Sequence, residues 1–130
     1  MDRFRVLVID DEIDFVETMV KRLKDRGLDA DAATGGQEGL ELLEKNPPDV
    51  VVLDVRMPKM SGIEVLKEIK KKKPLIEVIM LTGHGSMEAG IQGLQLGAYN
   101  YVMKPVPFNE LLSLIIQAYE RKLIEQERGS

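Results

Sequence analysis

The sequence predicts a doubly wound α/β domain: five parallel strands in the order 2-1-3-4-5, with helices on both faces. Three observations predict it. Strand-length apolar runs alternate about five times with stretches of helical periodicity. The first, third and fourth runs are apolar throughout, as strands covered on both faces must be. The second and fifth carry Asp29, Asp31 and Asn100, which places them at the sheet edges. Right-handed crossovers then give the strand order.

The elements follow in turn. Val6–Ile9, Val50–Leu53, Val78–Leu81 and Tyr101–Met103 are rich in β-branched residues that favour extended backbone. Leu28–Ala33 is the weaker remaining strand. Ile13, Val16, Val20 and Leu23 mark the core face of a first helix, Leu40 and Leu43 that of a second, and Ile63, Leu66 and Ile69 that of a third. A fourth helix ends at Gly97, and a last one runs from about Phe108 to about Glu127 through Leu111, Leu112, Ile115, Tyr119 and Leu123. Thr34 with Gln37, and Ser61 with Glu64, have capping-box spacing at the starts of the second and third helices. Pro47, Pro48 and Pro74 separate helices from the strands that follow. Gly90 and Gly93 fall inside the fourth helix, where each costs roughly 1 kcal/mol relative to alanine. Close packing or a pliable element in a switch would each account for them.

With 130 residues the chain is one domain in size, here divided as residues 1–120 and a helix extension or tail at 121–130. Leu123 and Ile124 extend past the sheet, placed for a homodimer contact or a linker. No cysteine is present, so disulfides and thiolate metal sites are excluded. The net charge of −4 argues against direct nucleic-acid binding. Lys70–Lys73 reads as a solvated helix end, suited to the negative pole of the helix dipole. No secretory leader or membrane-length apolar run is expected, and a cytoplasmic home fits.

The chemistry lies where strands end. Ile9 is followed by Asp10 and Asp11, Leu53 by Asp54, Leu81 by Thr82 and Met103 by Lys104. In a parallel sheet these ends share one edge, where open α/β folds bind ligands. Carboxylates about 4 Å apart repel by roughly 4 kcal/mol per pair at an effective dielectric near 20. A divalent cation relieves that repulsion, and oxygen ligands without histidine or cysteine suit Mg²⁺. One carboxylate can then attack a phosphoryl group and form an acyl phosphate.

Asp10-Asp11-Glu12, Asp54 with Met57-Pro58 and Gly62, Thr82-Gly83 and Lys104-Pro105 together resemble the receiver domain of two-component response regulators, of the chemotaxis-regulator-like superfamily with flavodoxin-like topology. The likeness runs from about Arg5 to about Tyr119. It implies that Asp54 is the phosphoacceptor. It implies that Asp11, Asp54 and the backbone carbonyl of Arg56 hold Mg²⁺, with Asp10 joined through water. Thr82 and Lys104 would contact the phosphoryl group, and Tyr101 would be the aromatic switch residue. The Lys104–Pro105 bond would be cis. Arg56 and His84 flank the expected phosphoryl position and are candidates for setting its lifetime.

The implied function is phosphorelay signalling. A histidine kinase or phosphotransfer protein phosphorylates Asp54, and the surface of the fourth helix, fifth strand and fifth helix then binds a downstream protein or an effector domain outside this chain. Such a domain catalyses only its own phosphorylation and dephosphorylation, and is not an enzyme with an independent substrate. Two rivals are an aspartate-nucleophile phosphatase and a pseudo-receiver used for binding alone. The first would need an acid two residues after the nucleophile, where Arg56 stands; the intact acid set opposes the second. A flavin- or nucleotide-binding module is a third, opposed by the lack of a glycine-rich phosphate loop after the first strand.

Overall fold

The computed structural model describes residues 3–83 and 85–129. Its elements are β1 (Arg5–Ile9), α1 (Ile13–Asp25), β2 (Asp29–Ala33), α2 (Gly36–Lys45), β3 (Val50–Asp54), α3 (Gly62–Lys72), β4 (Glu77–Thr82), α4 (Met87–Gln95), β5 (Asn100–Met103) and α5 (Phe108–Gly129). The strands pair in parallel in the order β2-β1-β3-β4-β5, as the pattern of polar edge strands predicts. Ile9 pairs with Leu53, Asp54 with Leu81, and Thr82 with Met103, so the carboxyl ends of the central strands finish together.

Two cores lie on opposite faces of the sheet. Alternate strand residues Val6, Val8, Val50, Val52, Ile79 and Leu81 pack with Val16, Leu23, Leu111 and Ile115 of α1 and α5. Leu7, Ile9, Val51, Leu53, Val78 and Met80 pack with Leu43, Val65, Leu66 and Ile69 of α2 and α3. This is the period-two alternation of a strand buried on both sides. Phe4 stacks on Tyr119 with ring centroids 4.1 Å apart, fixing α5 against the start of β1.

Three expectations change. Ile13 is 58% exposed, because it opens α1 beyond the sheet edge; Met19 fills the place on the core face instead. Gly35, not Thr34, is the N-cap of α2. Glu38, three residues on, accepts a 2.6 Å hydrogen bond from the Thr34 amide, so the reach-back is made one residue later than the Thr34–Gln37 spacing suggests. Lys70 is not solvated: its ammonium donates to the carbonyls of Ile76 (2.7 Å) and Pro74 (3.2 Å) and pairs with Glu77 at 3.4 Å. In α4 only Gly90 and Gly93 are buried, while Met87, Ile91 and Leu94 face outward. A Cβ at Gly90 would stand 2.8 Å from the Tyr101 ring, and one at Gly93 3.1 Å from Met80. The two glycines therefore allow close packing of α4 on the sheet, the first of the two roles expected of them.

Candidate functional site

Each site residue is delivered by a strand end. Asp10 follows β1, and its amide donates to the Ala33 carbonyl in continuation of the β1–β2 ladder. Its side chain is fully buried, and Oδ1 accepts from the Glu12 amide at 3.0 Å. Asp11 turns outward and is exposed. Asp54 ends β3 and is 7% exposed. One carboxylate oxygen from each of Asp10, Asp11 and Asp54 lies within 4.8 Å of the others, an arrangement that fits a hard divalent cation.

The loop after Asp54 explains the Gly62 of the signature. The Gly62 amide donates to the Val55 carbonyl at 2.8 Å, and a Cβ at Gly62 would collide with the backbone of Asp54 and Val55. A glycine is needed there so that α3 can start close against the acceptor strand. Ser61 caps α3, its hydroxyl accepting from the Glu64 amide at 3.3 Å as the spacing predicts.

Lys104 follows β5, and its bond to Pro105 is cis. Its ammonium donates to Asp10 at 2.6 Å and to Glu12 at 2.8 Å, lies 3.6 Å from Asp54, and sits 4.8 Å above the Phe15 ring. One cation thus faces a crowd of carboxylates. Burial, with the Asp10 charge next, pushes the Asp54 carboxyl up to about 6. Burial raises Asp10 as well, in spite of its bond to Lys104. The carboxylates hold the Lys104 ammonium protonated well above the usual lysine range.

Thr82, fully buried, does not point its hydroxyl at Asp54; it donates to the Val102 carbonyl at 3.2 Å. Tyr101 is half-buried and rests on Gly90. Arg56 is exposed and donates at 2.9 Å to the Gly85 carbonyl across the cleft. His84 lies outside the described residues. A cavity of about 260 Å³ is lined by Asp11, Glu12, Asp54, Arg56, Gly83, Ser86 and Lys104. Glu12, Gly83 and Ser86 were not foreseen as site residues. Glu12 shares Lys104 with Asp10, for which its place in the Asp10-Asp11-Glu12 run was the available signal. Ser86 is 3% exposed, and its hydroxyl accepts from the Gly83 amide and donates to the Gly83 carbonyl, both at 2.8 Å. No sequence pattern announces that closed turn.

Fold and site together define a doubly wound α/β domain whose cleft gathers three acids and a lysine at the carboxyl edge. Residues 6–116 match the family model of the response regulator receiver domain, and the chain belongs to that family. It is 34% identical over 127 residues to the DNA-binding transcriptional regulator NtrC of Escherichia coli, and 33% identical over 129 residues to a putative NtrX-like response regulator of Rickettsia bellii. Each alignment covers 98% of this chain and 27% of the relative, so the chain spans about a quarter of the length of these proteins. A receiver domain from Clostridium thermocellum superposes with a TM-score of 0.89 at 38% identity, covering 93% of this chain and 98% of that one. NtrX from Brucella abortus, in a complex with ADP, superposes at 0.93 with 28% identity over 98% of this chain and 30% of its own. The architecture of two-component signalling receivers is therefore this chain's own. No described helix is long and apolar enough to cross a membrane.

Proposed function

We propose that this receiver is switched by a phosphoryl group on Asp54. The observation that carries the reading is a buried Asp54 carboxylate with oxygens of Asp10 and Asp11 within 4.8 Å and the Lys104 ammonium 3.6 Å away. An Asp54 oxygen bonds to the phosphorus of a phosphohistidine on a kinase or phosphotransfer protein. The P–N bond breaks, and its electron pair stays on the imidazole nitrogen. Asp11, Asp54 and the Arg56 carbonyl, with Asp10 through water, would hold Mg²⁺, which when bound neutralises the carboxylates and the transferred oxygens.

The protein's own residues do the rest. Lys104 presents a fixed positive charge to the new oxygens. Thr82 must leave the Val102 carbonyl to donate to them, and that rotation starts beside Tyr101, because both residues pack on Gly90. The consequence reaches the surface formed by α4, β5 and α5, where Met87, Ile91, Leu94 and Met103 are exposed for a partner. That partner is a downstream protein or an effector region of a longer chain, and the domain itself turns over no independent substrate. Arg56 and His84 remain candidates for setting the lifetime of the phosphate, and a cytoplasmic setting fits the phosphorelay.

Intact-mass measurement after incubation with Mg²⁺ and a small acyl phosphate tests the reading. A gain of one phosphoryl group in the wild type, absent in Asp54→Ala, is expected. A wild type that gains none sinks it.

A further inference from the structure

Arg56 sits two residues after Asp54, on the loop between β3 and α3. Its guanidinium reaches over the cleft to the Gly85 carbonyl, 2.9 Å away on the turn between β4 and α4. Gly85 has φ +82°, a left-handed conformation that glycine adopts without strain. Among the described residues of the turn, Ser86 bonds both backbone groups of Gly83 through its hydroxyl, and the Ser86 amide donates to the Gly83 carbonyl at 3.2 Å. The Ser86 carbonyl in turn accepts from the Ala89 and Gly90 amides, so the turn runs directly into the first turn of α4. Gly90 is the residue on which Tyr101 and Thr82 pack. Among the described residues, the bond to Gly85 is the one hydrogen bond of the Arg56 side chain, although a guanidinium carries five N–H donors.

We propose that Arg56 is a positioning residue: a strap that holds the β4–α4 turn to the acceptor loop in the resting protein and lets go when Asp54 is phosphorylated. The release rests on the reading of Asp54 given above. Arg56 and Asp54 line the same cavity of about 260 Å³. A dianionic phosphoryl group placed there competes with a neutral carbonyl for the guanidinium. Charge-assisted bonds to phosphate are roughly twice as strong as neutral ones and suit the planar fork of arginine. The guanidinium therefore exchanges Gly85 for the phosphoryl oxygens, and the turn leading to α4 is freed. This gives charge at Asp54 a direct mechanical connection to α4 that does not pass through Thr82.

The Ser86 amide, bonded inside the turn, reports its opening. In the full chain without donor or metal, Arg56→Ala should speed hydrogen exchange at Ser86 by about fivefold, the effect of losing one modest hydrogen bond. Leu66 and Ile79 amides should not change, which shows that the fold is intact. Loading the wild type with acyl phosphate and Mg²⁺ should accelerate Ser86 similarly, and in Arg56→Ala should add little further. Arg56→Lys, which keeps the charge and loses the fork, should fall between the two in the resting state. Equal Ser86 exchange in resting wild type and Arg56→Ala overturns the strap, as does an equal response of both to phosphorylation. A mass spectrum showing no phosphoryl uptake removes the reading of Asp54 and the release with it, and the resting comparison still decides the strap.

Discussion

The two ends of the sheet hold ion pairs of opposite character. At the amino-terminal end of the strands, the two least exposed pairs are matched one to one, while the more exposed Asp29 takes both Arg3 and Arg5. Asp49 accepts the Arg5 amide at 2.9 Å on one oxygen and the Lys122 ammonium at 2.6 Å on the other. Its own amide and carbonyl bond Arg5 and Glu77, so one residue joins β1, β4 and α5 at the start of β3. Lys70 and Glu77 form a second pair nearby. At the carboxyl end, Asp10, Glu12 and Asp54 share the single ammonium of Lys104, and an Asp11 oxygen crowds those of Asp10 and Asp54 within 4.8 Å. The lesson is that matched charge fastens this fold and unmatched charge is kept for chemistry. A site whose acids repel each other is unstable at rest and therefore responsive to whatever neutralises it.

The sharpest way to break this contrast is to remove Asp49. Asp49→Ala leaves the Arg5 amide and the Lys122 ammonium without their acceptor, while both carboxylate oxygens are lost at once. Because Lys122 and Asp49 are only 14% and 24% exposed, water compensates incompletely, and a loss of about 2–3 kcal/mol is expected in urea unfolding. A loss within about 0.5 kcal/mol, the range of ordinary surface substitutions, would mean that the lower end fastens nothing.

At the upper end the sign reverses. A carboxyl raised from 3.8 to about 6 binds its proton more tightly folded than unfolded. Its contribution to stability is complete below pH 3.8 and is lost as pH rises through about 6. At 1.36 kcal/mol per pH unit, the burden carried by ionised Asp54 at neutral pH is roughly 3 kcal/mol at most. Asp54→Asn should therefore stabilise the metal-free protein by roughly 1–3 kcal/mol at pH 7.5, with the gain fading toward pH 4. Paired unfolding curves across that range check it. A variant no more stable than wild type at pH 7.5 would remove the claim that burial and the neighbouring acids hold ionised Asp54 at a cost.

This division also explains what the sequence could and could not tell. The fold was legible because Val50–Leu53 and Val78–Leu81 are apolar on both faces, while Asp29, Asp31 and Asn100 mark the edges. The acids, Thr82 and Lys104 were legible because a parallel sheet brings strand ends together whatever the loops do. Contacts made by loops were not. Glu12 meets Lys104 across 92 residues, and Arg56 meets Gly85 across 29, through turn geometry that periodicity does not encode. Nothing in the strand pattern singled out Asp49, and Lys70 read as one of four solvated lysines, since burial of an ammonium depends on where the next strand starts. Gly90 and Gly93 were visible as anomalies, but only the packed Tyr101 and Met80 show why a side chain is excluded there.

The smallest effect expected is also the most selective. If buried, mutually repelling charge at Asp10, Asp11 and Asp54 destabilises the upper end, neutralising it with Mg²⁺ must recover part of what Asp54→Asn recovers. A ligand present at ten times its Kd stabilises by about 1.4 kcal/mol, which should appear as a higher thermal midpoint at pH 7.5. Three features separate a bound ion from general screening. The rise should vanish in Asp11→Asn and Asp54→Asn, persist in Asp49→Ala, and not be reproduced by sodium chloride of equal ionic strength. It should also shrink near pH 4.5, where Asp54 keeps its proton and offers the cation a poorer ligand. Equal rises in the wild type and Asp54→Asn would place the ion elsewhere, and the distinction between the two ends would then lose its chemical meaning.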